Sequence, residues 1–220
     1  MSRYLLAIDT ATTRTSVALL DGSHTIVEVN REGATGHGEA LPSLVSEVLQ
    51  NISTNQLEAI AVGIGPGPFT GLRIGIAFAR TMAWALEIKV IGVCTLDALA
   101  YDYLSDGLAP SGDFAVATDA RRKEVYWAVY DRHGIRHGEA VVVRPRNISD
   151  RLLRLPTVGS GALLYSNDFS ANVEPIYPSA TAIGRLGFAK LDGGEDLTTE
   201  PLYLRRPDAV PLVSSREMLK

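Results

Sequence analysis

The same order of segments occurs twice along the 220-residue chain, and that duplication limits the folds open to it more than any other feature. In the first half, residues 4–9, 16–20 and 25–30 read as three strands, parted by a polar turn at 10–15 and by Asp21-Gly22-Ser23. A helix is predicted over 39–51, where Leu41, Leu44, Val45, Val48 and Leu49 form one apolar stripe. A strand at 58–63, a glycine- and proline-rich loop at 65–71, a long helix at 72–86, a strand at 90–93 and a short helix at 96–103 follow. Residues 105–113, rich in Ser, Asp, Gly and Pro, read as a linker. Beyond it come strands at 114–118, 124–130 and 139–143, a short helix at 148–155, a strand at 156–159 and a helix at 180–191 closed by Gly193 and Gly194.

Two successive βββαβα units predict an α/β chain with one lobe at 1–104 and a second, reduced lobe at 105–220. The order suggests the duplicated fold of actin, hexokinase and Hsp70, in which nucleotides bind between the lobes. So little chain remains after the linker that a complete cleft is not expected. Hydrophobic residues make up 46% and charged residues 21%, enough for a packed core. A net charge of −4 argues against a basic surface, so any nucleic-acid role is expected to be indirect. The single cysteine, Cys94, sits in an apolar strand run and excludes a disulfide framework or a Cys-based zinc site. Residues 1–4 run directly into a strand without a signal-peptide core, and no stretch is apolar enough to span a bilayer, which points to the cytoplasm and no membrane.

Five motifs carry the chemical possibilities, and each has a plain structural alternative. Asp9, Thr10 and Thr12 end the first strand and fill its turn; they could present hydroxyls and amides to a phosphate, or satisfy the turn locally. Gly65-Pro66-Gly67-Pro68-Phe69-Thr70-Gly71-Leu72-Arg73-Ile74-Gly75 joins a strand to a helix start, a place suited to anions. It is neither a Walker loop nor a dinucleotide fingerprint, and its alternative is a rigid loop with Thr70 as helix cap. Asp119-Ala120-Arg121-Arg122-Lys123 is a charged hairpin tip that grips an anion or is merely solvated. His133 and His137 have metal-ligand spacing, but Gly134 and a turn between strands separate them, and on a strand residues four apart do not share an ion. His24 and His37 have no ligand companions at useful spacing. The long helix, with Arg73, Ile76, Ala77, Arg80, Met82, Ala83 and Trp84 and the small residues Gly75, Ala79 and Ala85, is apolar almost all round, so one face meets the sheet and the other is covered by the same chain or by another.

Taken together, Ile8-Asp9-Thr10, His37-Gly38-Glu39, the segment 65–75, Asp119-Ala120-Arg121-Arg122 with Glu124-Val125-Tyr126, and Pro201-Leu202-Tyr203-Leu204-Arg205 resemble the TsaB (YeaZ) family over nearly the whole chain. Pro68 stands where the family usually has serine, and Thr12 also departs from it. The resemblance implies an actin-like ATPase (ASKHA, RNase H-like) fold with a reduced second lobe. It implies a non-catalytic subunit that dimerises with and activates a TsaD-type transferase, which with a TsaE-type ATPase forms N6-threonylcarbamoyladenosine at tRNA position 37. Alone, such a subunit is expected to be a homodimer that meets tRNA only indirectly. It binds no cofactor directly; ATP or ADP at the complex interface remains open. Asp9, Thr10, Thr12, Gly65, Gly67, Thr70, Asp119 and Arg121 are the implied nucleotide or phosphate contacts. Leu41, Leu44, Val45, Val48, Arg73, Ile76, Ala79, Arg80 and Ala83 are the implied interface. The catalytic sister of the family carries two His ligands where this chain has Thr95 and Leu99, which implies no metal. A small-molecule kinase or nucleotide-binding enzyme of the same fold is the alternative, with Gly159-Ser160-Gly161-Ala162 as its one candidate adenosine piece. A metallopeptidase is a further one, against which the missing His pair argues.

Overall fold

A computed structural model describes residues 3–33, 36–105 and 111–205; the centre of the proposed linker lies outside them. The first unit comprises β1 (Tyr4–Asp9), β2 (Arg14–Asp21), β3 (His24–Glu32), α1 (His37–Val48), β4 (Leu57–Gly63), α2 (Phe69–Leu86), β5 (Lys89–Val93) and α3 (Thr95–Ser105). The second comprises β6 (Phe114–Asp119), β7 (Val125–Tyr130), β8 (Val141–Val143), α4 (Asp150–Leu153), β9 (Pro156–Val158), α5 (Ser160–Leu164), β10 (Ala171–Val173) and α6 (Ala180–Gly193). The strand orders are β3-β2-β1-β4-β5 and β10-β9-β6-β7-β8, the same topology twice. The duplicated α/β architecture expected from the segment order is therefore present. The second sheet is not short of strands: β10, which the segment reading omits along with the helix α5, completes it. What is trimmed is length, with three residues each in β8, β9 and β10 and four or five in α4 and α5.

Strand alternation divides the first sheet between two covers. Leu6, Ile8, Val17, Leu19, Ile60 and Val62 face α1 and α2. Leu5, Ala7, Ala18, Leu20, Ala59 and Ala61 face α6, together with Ala98 of α3. Small residues on this second face let α6 lie close. A Cβ on Gly184 would come within 2.4 Å of Leu20, and one on Gly187 within 2.7 Å of Ala61. Thus α6, which the segment order groups with the second unit, packs on the first sheet. In return α3 gives Leu96, Leu99, Ala100 and Tyr103 to a core with Phe114, Val116 and Tyr126 of the second sheet. Ala115, Ala117, Val125 and Trp127 form the outer core of that sheet with Ala162 and Phe169.

Candidate functional site

The ends of β1 and β6 meet across the seam between the two sheets. Ala11, Thr12, Thr13, Pro68, Thr118, Asp119, Arg121 and Ser160 surround it, so three of the expected contacts, Thr12, Asp119 and Arg121, do come together. Ser160, flagged only as part of a glycine-rich stretch, and Thr118 join them. The space they enclose is about 20 Å³, the size one water fills, whereas ligand sites run to about 300–1,000 Å³. Thr118 Oγ1 is buried there without a hydrogen-bond partner. Asp119 Oδ1 accepts from the Arg121 amide at 2.7 Å, and its other oxygen lies 3.3 Å from the Arg121 guanidinium.

Asp9 is turned away from that space. It is 1% exposed, accepts from the Ala11 amide at 2.9 Å, and accepts from Thr95 Oγ1 at 3.0 Å. Burial pushes its carboxyl up to about 6, against the pull of these two donors. Thr10 Oγ1 donates to the Gly71 carbonyl at 2.8 Å. Thr12 Oγ1 accepts from the Arg14 amide at 3.2 Å. Thr12 thus satisfies the turn locally, whereas Asp9 bonds both the turn and α3, and Thr10 ties the turn to the start of α2.

The glycine loop has a packing reason as well. A Cβ on Gly67 would sit 2.3 Å from the Ala11 carbonyl oxygen, one on Gly71 2.4 Å from that of Thr10, and one on Gly75 2.3 Å from Thr10 Oγ1. Every fourth residue is glycine because the start of α2 lies directly on the β1–β2 turn. Gly65, at φ 100°, takes a path closed to other residues. Gly67 also reaches the second unit, through a 3.4 Å bond to its carbonyl from Tyr126 Oη. Thr70 is not the cap: Pro68 holds that position, extended and without a donor, and Thr70 lies exposed in the first turn. His37 is buried with its Nδ1 2.7 Å from Thr15 Oγ1, and burial lowers its pKa below the usual imidazole value.

The residues at the sister enzyme's ligand positions are structural. Thr95 and Leu99 are wholly buried, one bonded to Asp9 and the other in the second core. His133 Nε2 accepts from Arg132 at 3.0 Å, while His137 lies 3.7 Å from Asp113, so the two imidazoles take different partners. No cluster of metal-ligating residues occurs among the described residues. Cys94 is half-buried, beside Asp97 and Arg136, and burial raises its thiol to about 12.

The nine expected interface residues are engaged within the chain. Leu41, Leu44, Val45, Val48, Ile76, Ala79 and Ala83 are at most 6% exposed, packed on the first sheet. Arg73 and Arg80 hold the segment 199–205: Arg73 Nε donates to Tyr203 Oη at 3.0 Å, and Arg80 Nε to Thr199 Oγ1 at 2.6 Å. That segment crosses to the hairpin tip, where Arg205 bonds the Ala120 carbonyl and pairs with Glu124. The stripe at helical spacing is thus the sheet-facing one, because a chain covers its most apolar stripe first. The outward surface of the helix pair shares only Leu41 with the expected interface. Gly38, Leu41, Pro42, Ile74, Ala77, Phe78, Thr81, Met82 and Ala85 line an apolar groove of about 430 Å³. Trp84, next in the chain to Ala85, is 83% exposed and lines a neighbouring hollow with Ala83, Ala85, Glu87 and Ile88.

Comparison with known proteins places this architecture. Residues 29–157 match the family model described as TsaD, tRNA N6-adenosine threonylcarbamoyltransferase. An uncharacterized protein of Mycobacterium leprae is 39% identical over 221 residues, covering 97% of this chain, which spans only 58% of that protein's length. The tRNA threonylcarbamoyladenosine biosynthesis protein TsaB of Escherichia coli is 39% identical over 169 residues, 71% of each chain. The solved structure of YeaZ from Pseudomonas aeruginosa superposes with a TM-score of 0.77 at 30% identity, over 92% of this chain and all of that one. With that sequence identity, the doubled sheet and the glycine-packed turn in common cause, the chain belongs to the TsaB (YeaZ) family.

Proposed function

We propose that this chain is a partner subunit without chemistry of its own, which docks onto a TsaD-type transferase and supports formation of threonylcarbamoyladenosine at tRNA position 37. It works in the cytoplasm alongside a TsaE-type ATPase, and it pairs with a second copy of itself when alone. The observation that carries the reading is the apolar groove between α1 and α2, with the exposed Trp84 on the neighbouring hollow. Exposed apolar patches of this kind mark association sites, and a large exposed aromatic is a typical anchor. A TsaD-type chain of the same fold offers a matching helix pair, so the homodimer and the heterodimer use one face and compete. The seam between the sheets, with room for about one water, supports a docking role over a small-molecule kinase. Any ATP or ADP then belongs to the assembled interface.

Thr81→Arg tests this on the exposed side of α2. The variant is expected to melt like the parent and to lose affinity for the TsaD-type subunit by at least about tenfold, because a charge enters an apolar contact. Trp84→Ala is expected to act in the same direction. Folded variants that retain full affinity place the interface elsewhere.

A further inference from the structure

The net charge of −4 hides a local excess of the opposite sign. Between residues 121 and 154 there are nine Lys and Arg against four Asp and Glu. Folding gathers part of this excess where the β6–β7 tip meets the chain that follows the edge strand β8. Arg122 and Lys123 from the β6–β7 hairpin tip, and Arg144 and Arg146 flanking Pro145, line one cavity of about 450 Å³ together with Tyr165 and Asp168. Four cations face one carboxylate there. A further acid close by, Glu124, is paired with Arg205 and lies 3.8 Å from Arg144.

The hairpin backbone contributes to this gathering. Arg121, Arg122 and Lys123 all have positive φ, at 62°, 57° and 62°, a left-handed run in three successive residues that carry side chains. Glycine would adopt that path without strain. The turn instead keeps long cationic side chains, which two bonds between Ala120, Arg121 and Glu124 hold at the tip. Pro145 is buried, so the two flanking arginines project from a fixed point.

We infer that this cavity is a phosphate-binding site and that it takes the phosphodiester backbone of RNA. Arginines match phosphate oxygens with paired donors. All four cations are solvent-exposed, and exposed cations gain affinity from a polyanion mainly by releasing its counterions. A free nucleotide would need an apolar floor for its base, and only Tyr165 and the buried Pro145 interrupt the charged lining. The choice of RNA rests on the proposed part in tRNA modification. Binding is measured on the isolated chain, so its failure is separate from a failure of docking.

The experiment titrates a fluorescent transfer-RNA transcript with the full chain from 50 to 200 mM salt. Arms with ATP and with pyrophosphate serve as competitors. The parent is expected to bind at low salt, with log K falling against log salt at a slope of about −3 if four contacts form. The pair Arg144→Ala with Arg146→Ala should weaken binding at least about fivefold and flatten the slope by about 1.5. Arg122→Gly with Lys123→Gly should do the same while keeping the fold, because glycine suits those dihedrals. Absence of tRNA binding at 50 mM salt, or variants that bind like the parent, overturns the site. Displacement of tRNA by equimolar ATP or pyrophosphate overturns the RNA assignment in favour of a free nucleotide.

Discussion

The two sheets share one strand order, yet they are held by very different amounts of chain. Strands of five to nine residues make the first, and helices of 12, 18 and 14 residues cover it on both faces. In the second, three of the five strands have three residues, and its outer helices have four and five. Aromatic pairs replace helix length there: Trp127 stacks on Phe169 at 5.6 Å, and Phe114 on Tyr130 at 5.5 Å. Topology therefore survives a loss of length, provided that a few large side chains keep the core filled. Because α3 and α6 each pack on the other unit's sheet, neither unit carries its full cover alone.

The largest effect that sharpens this contrast comes from placing the same charge on a helix of each unit. Ala79 is wholly buried between α2 and the first sheet, whereas Leu163 on α5 is 51% exposed. Ala79→Arg is expected to cost about 3–5 kcal/mol, a large part of a typical stability of about 5–15 kcal/mol. Leu163→Arg is expected to stay within about 0.5 kcal/mol. Urea unfolding of both variants checks this. Equal losses would mean that the outer helices of the second sheet are packed as tightly as those of the first.

That contrast also governs what can be read without coordinates. The strands β1, β2, β4 and β6 and the helices α1, α2 and α6 show several periods of 2.0 or 3.6, and their places follow from the sequence. A three-residue strand such as Ala171–Val173 shows barely one period, and α5 begins immediately after Gly159, so neither announces itself. The proposed docking face is illegible for another reason. A helix apolar all round reads the same whether a sheet or another chain covers each side, and the strongest stripe, Leu72, Ile76, Ala79 and Ala83, turned out to face the sheet. The loop at 65–75 reads as an anion site or a rigid loop, and the repeat of four in Gly67, Gly71 and Gly75 is the signature of one helix face meeting backbone. Net charge, being a sum, concealed the basic run after residue 120.

A second difference concerns the aspartates that end the first strand of each unit. Asp9 is sealed in, while the side chain of Asp119 is 18% exposed and paired with Arg121. Burial raises the Asp9 carboxyl from 3.8 to about 6. A carboxyl raised by folding takes up protons as the chain folds, so its contribution is whole below pH 3.8. That contribution is lost as pH rises through about 6. The shift corresponds to something on the order of 3 kcal/mol. Asp9→Asn keeps the shape and can still accept from Ala11. It is expected to raise stability at pH 7.5 by up to that amount, with the gain vanishing near pH 4. Asp119→Asn should alter stability by less than about 1 kcal/mol at either pH. Unfolding curves of both variants at the two pH values decide it; a pH-independent gain, or parallel behaviour of the two, would remove the distinction between the sites.

The smallest expected effect has the opposite sign from most substitutions and tests the turns. Where β2 meets β3, the left-handed residue is Gly22, at φ 57°. At the β6–β7 tip the same region of dihedral space holds Arg121, Arg122 and Lys123. A non-glycine residue there costs about 1–2 kcal/mol relative to the right-handed conformation. Glycine escapes that cost but loses more entropy on folding, so the net gain from replacing one of them is about 0.4–1 kcal/mol. Lys123 is the residue of choice, because it is exposed and no bond to its side chain supports the hairpin among those described. Lys123→Gly is expected to raise the thermal midpoint by a few degrees for a chain of this size. Gly22→Lys, the reciprocal change, should lower it by a similar amount, since nothing lies within 4 Å to clash and only the dihedral cost remains. A destabilised Lys123→Gly protein would show that the lysine side chain, not the backbone, holds the hairpin tip in place.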